Sequence, residues 1–462
     1  MHSARGGIQL PSGFGMVPAT IQSRMLTRRS LLISGTAAVA GAMGEASGQG
    51  GRPASAMAIP PDSPIGKLTS RKAEAVPITV EERQSRMDRA QRLMRETKLD
   101  ALVMAGGPTL EYFSNVRWGT SERLFVMVLP QKGEPFFVAP AFEKDRALEQ
   151  ISSGPAGKYP HVFTWEEDES PYQTMAFGAK ERGIATGRLG IEETVKFVFA
   201  DGVGRALPAA TVGSATAVTA GCRMIKSAQE LELMRLANSV TLQAYEAAWK
   251  MLRAGMTQND FAGLVAAAHG RLGFPGGAGV QVGEYSALPH GSITPQVARE
   301  GAILLIDGGC QVEGYHSDIS RTFVIGKPTE KMKQVFEIVF RAQTAAWKAA
   351  RPGVPGEAVD AAARKVIVDA GYGPGFKYFT HRLGHGIGLE GHEWPYLMKT
   401  NTLVKDGRSL ALAANMTFSD EPGVYIPGEF GVRLEDDMYI TADGAELFTP
   451  QSYSLEEPFR RA

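Results

Sequence analysis

Residues 247–256, AAWKMLRAGM, return as AAWKAARPGV at residues 345–354. The offset is 345 − 247 = 98, and the pairs Arg253/Arg351, Gly255/Gly353 and Gly273/Gly371 keep it. A repeat of this length marks a duplicated structural unit. Each copy reads as a long helix, a Gly-containing turn and a second helix, with strand-like sequence following. In the first copy Leu233, Leu236, Val240, Ala244, Ala247 and Met251 fall at helical spacing. Ser227-Ala228-Gln229-Glu230 opens that helix as a capping box, in which the serine oxygen and the glutamate satisfy first-turn N–H groups. A second helix is expected from Thr257, with Asp260 three residues on, and Trp249 and Trp347 are read as packing residues. Two halves that each run helix, helix, strands predict an α+β domain with a pseudo-twofold axis.

The chemistry lies in the strand-like parts. The stretch from His290 to Glu435 holds five of the eight histidines: His290, His316, His381, His385 and His392. It also holds four carboxylates in segments that read as strands: Asp307 in ILLIDGG, Asp318 in YHSDISRTF, Glu421 in FSDEPGVYI and Glu435 in GVRLEDDMYI. A carboxylate in an apolar strand is costly unless it is paired or bound to a cation. Asp307 and Asp318 flank a turn at Gln311–Gly314, and Glu421 and Glu435 are separated by a turn at Pro427–Glu429, so each pair can share a face of a hairpin. Duplication lets the two sets face each other across the sheet centre. Four carboxylates and a histidine make a hard, oxygen-rich site that suits Mn²⁺, Co²⁺ or Fe²⁺ better than a structural zinc. Four negative charges match two divalent cations. Asp420, Asp436 and Asp437, beside the candidate ligands, are read as solvated or supporting carboxylates. His316 is read as a hydrogen-bonded strand residue, and His161 and His269 have no motif around them.

Other features bound the chain. It has 462 residues, enough for two ordinary domains, with 49 basic and 49 acidic side chains. Nothing in that balance points to nucleic acid. The two cysteines, Cys222 and Cys310, cannot supply a disulfide framework or a tetra-thiolate zinc site and are expected to be buried. No apolar run of eighteen residues occurs, so no membrane span is expected. Residues 386–391, GIGLEG, match GxGxxG formally but lack the strand–turn–helix context of a dinucleotide site. Neither GxSxG nor HExxH is present.

Four segments follow. Residues 1–56 read as a leader: Arg28-Arg29 precedes a mildly apolar run from Leu31 to Met43, and Ala54-Ser55-Ala56 offers a small-residue cleavage site. This resembles a twin-arginine export signal, with Met25 as an alternative start, and implies a periplasmic or extracellular protein. Residues 57–75 read as a Pro-, Gly- and Ser-containing linker. Residues 76–222 alternate helix and strand as a compact α/β domain without a cluster of catalytic groups, suited to a scaffold, a lid or a dimer surface. Residues 223–462 form the duplicated domain.

LPHGS at 288–292, LLIDGG at 304–309, HSDISRTF at 316–323, HRLGHGIGLEGHEWP at 381–395 and SDEPGVYIPGEFGVRLED at 419–436 resemble the pita-bread metallopeptidases. That family contains Xaa-Pro aminopeptidase and prolidase, with creatinase as a non-metal cousin. The resemblance runs from about Ile78 to Pro458 and implies a creatinase-like N-terminal domain followed by a pita-bread catalytic domain. It implies that Asp307 chelates one metal, that Asp318 and Glu435 bridge two, and that His385 and Glu421 complete the second. It places His290 and His392 against the substrate and its tetrahedral intermediate. His381 takes the position of another active-site histidine, Glu421 that of a proton shuttle, and Arg433 that of a supporting arginine. The implied reaction is hydrolysis of an Xaa-Pro bond at a peptide N-terminus by a hydroxide bridging two divalent ions, Mn²⁺ first, with Co²⁺, Fe²⁺ or Zn²⁺ as alternatives. The implied partner is a peptide with proline second, and the implied assembly a homodimer. A strict Xaa-Pro dipeptidase is the near alternative; a creatinase-type amidinohydrolase and a non-catalytic binding module are the distant ones. Dipeptidase members hold the substrate carboxylate with an arginine on the loop where Lys399, Lys405 and Arg408 stand here.

Overall fold

The computed structural model describes residues 58–399 and 409–460. The proposed leader, Lys405 and Arg408 lie outside these residues. In the N-terminal domain, helix Val80–Thr97 starts at Thr79, whose side chain accepts from the Glu82 N–H, and buries Met87, Ala90 and Met94. Strand Ala101–Ala105 follows and is buried throughout. It sits inside a mixed sheet ordered Val162–Trp165, Phe136–Pro140, Val126–Pro130, Ala101–Ala105, Arg188–Ile191, Thr211–Ser214. Buried apolar residues on both faces are what a sheet covered by helices requires. Helix Thr216–Arg223 closes the domain.

The duplicated domain begins with the expected capping box: Ser227 N–H donates to Glu230 Oε2 at 2.7 Å, and Glu230 N–H donates to Ser227 Oγ at 3.1 Å. The paired helices are Ala228–Trp249 with Gln258–Leu272, and Glu330–Ala349 with Gly356–Asp369. Their turns match in detail. Gly255 and Gly353 both hold a positive φ, +94° and +84°, which glycine adopts without a Cβ penalty. Gly255 N–H donates to Ala298 O and Gly353 N–H to Leu412 O, both at 2.8 Å. Thr257 and Pro355 then form equivalent isolated bridges, to Val297 and Ala411.

Behind the first helix pair, strand Ile303–Val312 lies between Gly276–Val282 and Ile319–Val324. Behind the second, strands Glu393–Leu397, Gly384–Gly386, Thr417–Asp420, Asp436–Ile440 and Ala445–Leu447 form one sheet, with hairpin Gly423–Ile426/Phe430–Arg433 beside it. The first-half core is continuous with the N-terminal domain, since Met87 and Met94 join Leu233 and Val240 in one cluster; the second half has a core of its own.

The stretch expected to be a linker is packed down where it is described. Ile65 is fully buried, Arg71 N–H donates to Leu272 O at 2.8 Å, and the Arg71 guanidinium donates to Ser239 Oγ. Its apolar and arginine side chains find partners on the first helix pair, which composition alone does not reveal. Cys222 and Cys310 are both free and buried. Among the described residues no helix is long and apolar enough to cross a membrane.

Candidate metal centre

Asp307 lies within strand Ile303–Val312, directly opposite Ser320 on strand Ile319–Val324. The turn between them is a hairpin pairing Gln311 with His316 and Val312 with Tyr315. The ladder is interrupted at Ser317 and Asp318, where Ser317 Oγ accepts from Cys310 N–H at 3.1 Å. Asp318 therefore stands in a break rather than inside a strand. Glu421 and Glu435 likewise sit one residue outside strands, after Asp420 and before Asp436, and His290 lies in the loop following Ala287. These placements correct the expected strand positions. A residue at a strand end keeps its side chain on the sheet face while its backbone is free to turn, which suits a ligand.

The five expected ligands converge. Donor atoms of His385, Glu421 and Glu435 lie within 4.8 Å of one another, and so do those of Asp307, Asp318 and Glu435. Glu435 belongs to both groups. A third overlapping group joins Asp318, His385 and His392. His385 Nδ1 faces Gly386 O at 3.1 Å, so Nδ1 carries the proton and Nε2 keeps its lone pair. That Nε2 faces Glu421 Oε1 at 3.5 Å and Asp318 Oδ2 at 4.0 Å. Three acceptors directed at one another with no donor between them fit a cation at their centre.

Electrostatics agrees. Burial, then repulsion from neighbouring carboxylates, pushes Asp318 and Glu435 well above the usual carboxylate range. Burial also pushes Glu421 up, to about 8, against the pull of Arg433. Burial acts in the same sense on Asp307, but Arg433, 2.7 Å away, and Ser320 hold its carboxyl below the ordinary value. Burial depresses His385 to about 3 and His381 to about 4, and lowers His392, so these imidazoles are neutral near pH 7. Divalent cations would supply the positive charge that this cluster lacks.

The other expected residues surround the ligands. Arg433 is buried; its Nε donates to Ser320 Oγ at 2.8 Å, and its Nη1 donates to Tyr425 OH at 3.1 Å and to Pro289 O at 3.0 Å, anchoring the loop of His290. His392 stacks on His385 with ring centroids 3.6 Å apart. His381 donates from Nδ1 to Arg382 O, so its Nε2 accepts from Tyr425 OH at 2.7 Å. Both its nitrogens are engaged, and the ring serves as a wall that fixes Tyr425. His290 is exposed, in the loop that Arg433 anchors at Pro289 O. The backbone N–H of His316 donates to Gly388 O at 2.8 Å. Lys399 is exposed.

Sequence reasoning missed Ser320, Tyr425 and Asn238. Ser320 Oγ lies 2.8 Å from Asp307 Oδ1 and 2.6 Å from Glu435 Oε2. Its only signal was its place two residues beyond Asp318, on the same sheet face. Asp420, Asp436 and Asp437 are not solvated; all three are fully buried. Asp436 pairs with Arg321 at 2.6 Å, and Asp437 accepts from Asp318 N–H and from Asn238 Nδ2, both at 2.9 Å. The GxGxxG stretch leads into strand Glu393–Leu397 rather than a helix, as expected for a site without a dinucleotide.

A duplicated α+β domain that gathers four carboxylates and a neutral imidazole from both halves, behind a six-stranded α/β domain, is a pita-bread metallohydrolase. Comparison with known proteins narrows this. The pattern of metallopeptidase family M24 matches residues 232–442, and that of the creatinase/prolidase N-terminal domain matches residues 86–225. A probable dipeptidase, PepE, of Mycobacterium tuberculosis is 37% identical over 354 residues, covering 75% of this chain and 89% of its own. An Xaa-Pro dipeptidase of Lactobacillus helveticus is 31% identical over 376 residues, covering 80% and 98%. The crystal structure of dipeptidase PepE from Mycobacterium ulcerans superposes with a TM-score of 0.75 at 32% identity, covering 82% of this chain and 99% of that one. The chain belongs to metallopeptidase family M24.

Proposed function

We propose that the protein hydrolyses the Xaa-Pro bond at the N-terminus of short peptides, using two divalent cations. The observation that carries this reading is the sharing of Glu435 between two three-residue donor groups, an arrangement that suits a pair of cations with a common carboxylate. Asp307 would hold one, His385 and Glu421 the other, and Asp318, which groups with Asp307 and also with His385, would be shared along with Glu435. When bound, such cations act as Lewis acids and lower the pKa of water toward neutrality. Mn²⁺ fits a set of four carboxylates and one imidazole.

The chain's own groups do the rest. Glu421 Oε2 can take a proton from the attacking water and deliver it to the departing prolyl nitrogen. His392, stacked on His385, and His290, on the loop that Arg433 anchors, can hold the carbonyl oxygen as charge develops on it. The walls at His381 and Tyr425 can receive the proline ring. An Xaa-Pro bond has no N–H, so a site that recognises the ring instead of that donor has an advantage on it.

A strict Xaa-Pro dipeptidase is the second reading, supported by the name of the Lactobacillus helveticus relative. Export by the twin-arginine route and assembly as a homodimer belong to the same proposal, resting on the Arg28-Arg29 leader and on the family resemblance.

The test is a metal-content measurement coupled to a length series, Xaa-Pro against Xaa-Pro-Yaa-Zaa, on one preparation. Chelation should abolish hydrolysis and Mn²⁺ restore it. Full activity after exhaustive chelation would overturn the reading, and cleavage of the dipeptide alone would select the dipeptidase.

A further inference from the structure

The two carboxylates that bracket His392 converge on one guanidinium from the other domain. Glu390, two residues before His392, places Oε2 2.7 Å from Arg223 Nη2. Glu393, one residue after it, pairs with the same Nη2 and accepts from Lys226 Nζ at 2.8 Å. Arg223 ends helix Thr216–Arg223, the last element of the N-terminal domain. Its Nη1 donates to Thr109 Oγ1 at 2.9 Å, and Thr109 Oγ1 donates to Glu192 Oε1 at 3.1 Å, which ties the guanidinium back into that domain's sheet. Lys226 Nζ also donates to Arg223 O at 2.9 Å. Arg223 and Glu393 are each 5% exposed and Lys226 1%.

The loop is shaped around this cluster. A Cβ at Gly388 would meet Glu393 Oε1 at 2.5 Å and Lys226 Cε at 2.8 Å, so a side chain there would displace the paired carboxylate and ammonium. Gly388 O accepts from His316 N–H at 2.8 Å, which fastens the same loop to the hairpin between Asp307 and Asp318. An ion cluster serving only to join domains has no reason to grip both sides of one exposed imidazole. Buried ion pairs are poor stabilisers but hold a geometry well.

We propose that Arg223, acting with Lys226 through Glu390 and Glu393, is a positioning residue that fixes His392 in its stack on His385. The N-terminal domain thereby sets the orientation of an imidazole that acts on substrate. The substrate role of His392 rests on the peptidase reading; the fixing of its loop does not.

The test is a double-mutant cycle with an independent structural readout. In the metal-loaded full chain, Glu393→Gln and the milder Thr109→Val and Arg223→Lys are each measured alone and combined with His392→Ala. Glu393→Gln should lower kcat/KM by about tenfold with metal content unchanged, and have almost no further effect once His392 is absent. Amide exchange over residues 388–393 should quicken in all three clamp variants. If Glu393→Gln does not fold, Thr109→Val and Arg223→Lys carry the same prediction with smaller losses. Equal losses with and without His392, loss of bound metal in a clamp variant, or wild-type exchange over 388–393 would each overturn the proposal. A wild type inactive on every peptide would refute the peptidase reading, and the exchange rates would still decide the clamp.

Discussion

Arg433 in the second half of the duplicated domain reaches Asp307 in the first, with Nη2 2.7 Å from Oδ2. Two of its other contacts, Ser320 and Tyr425, touch Glu435 and His381 in turn. One buried guanidinium thus holds Asp307, the serine that Asp307 and Glu435 share, and the tyrosine against which His381 packs. Arg433→Met should lower kcat on the order of 100-fold, since a displacement of about 1 Å at reacting groups costs that much. Metal content should change little, because the five donors remain. A kcat within threefold of wild type in a folded, metal-loaded variant would contradict this.

The sharing of Glu435 predicts a graded loss of metal. Glu435→Gln removes a donor from both three-residue groups, whereas Asp307→Asn and Glu421→Gln each remove a donor from one. At limiting Mn²⁺, Glu435→Gln should bind neither cation tightly, and each of the others should retain one. Elemental analysis after gel filtration reads this directly. Equal stoichiometry in all three variants would argue against a shared carboxylate.

Asn238 is a long-range supporter of the same site. Its Nδ2 donates to Asp437 Oδ2, which also accepts the Asp318 N–H, so a helix of the first half steadies a ligand through a carboxylate of the second. Partners of this kind typically contribute about 10–100-fold to metal affinity. Asn238→Leu should weaken Mn²⁺ binding by that order in a competition titration, while leaving the described five donors intact. Unchanged affinity would reduce Asn238 to a packing residue.

The convergence of Asp307, Asp318, His385, Glu421 and Glu435 was legible in the sequence because a carboxylate in an apolar segment needs a cause, and the repeat at 247–256 and 345–354 explained how distant segments could meet. The shared face of Asp307 and Asp318 was legible from the hairpin, but its register was not: the turn was expected at Gln311–Gly314, whereas Gln311 pairs with His316 and Gly308 with Ile319, which narrows the turn to Glu313 and Gly314. What could not be read were contacts that depend on how whole layers pack. Arg223 and Glu393 are 170 positions apart, and nothing near either names the other. Asp436 and Asp437 look like surface residues in LEDDMYI because acidic pairs usually are; their partners Arg321 and Asn238 arrive from remote elements. The packing of Ile65 and Arg71 was hidden for the same reason, since a Pro- and Gly-containing stretch carries no period from which to read a partner.

His269 gives a pH test away from the metal. It is fully buried, its Nδ1 donates to Val265 O at 3.0 Å, and Nε2 therefore faces Thr241 Oγ1 as an acceptor. Burial depresses its pKa from 6.5 to about 4. In the unfolded chain the imidazole takes a proton as pH falls through about 6.5, while in the folded chain it stays neutral until about 4. Its contribution is therefore fully present above 6.5 and is lost progressively between 6.5 and 4. The full difference amounts to roughly 3 kcal/mol, of which about 2 kcal/mol has gone by pH 5. His269→Gln keeps a polar side chain at this position but has nothing to protonate. It should be less stable than wild type at pH 7.5, and the gap in urea midpoint should narrow as pH falls to 4.5. Both proteins are compared metal-free, so that the titrating carboxylates of the centre contribute equally to each. Midpoint curves that stay parallel across that range would show that His269 takes up its proton in the folded chain over the same pH range as in the unfolded one.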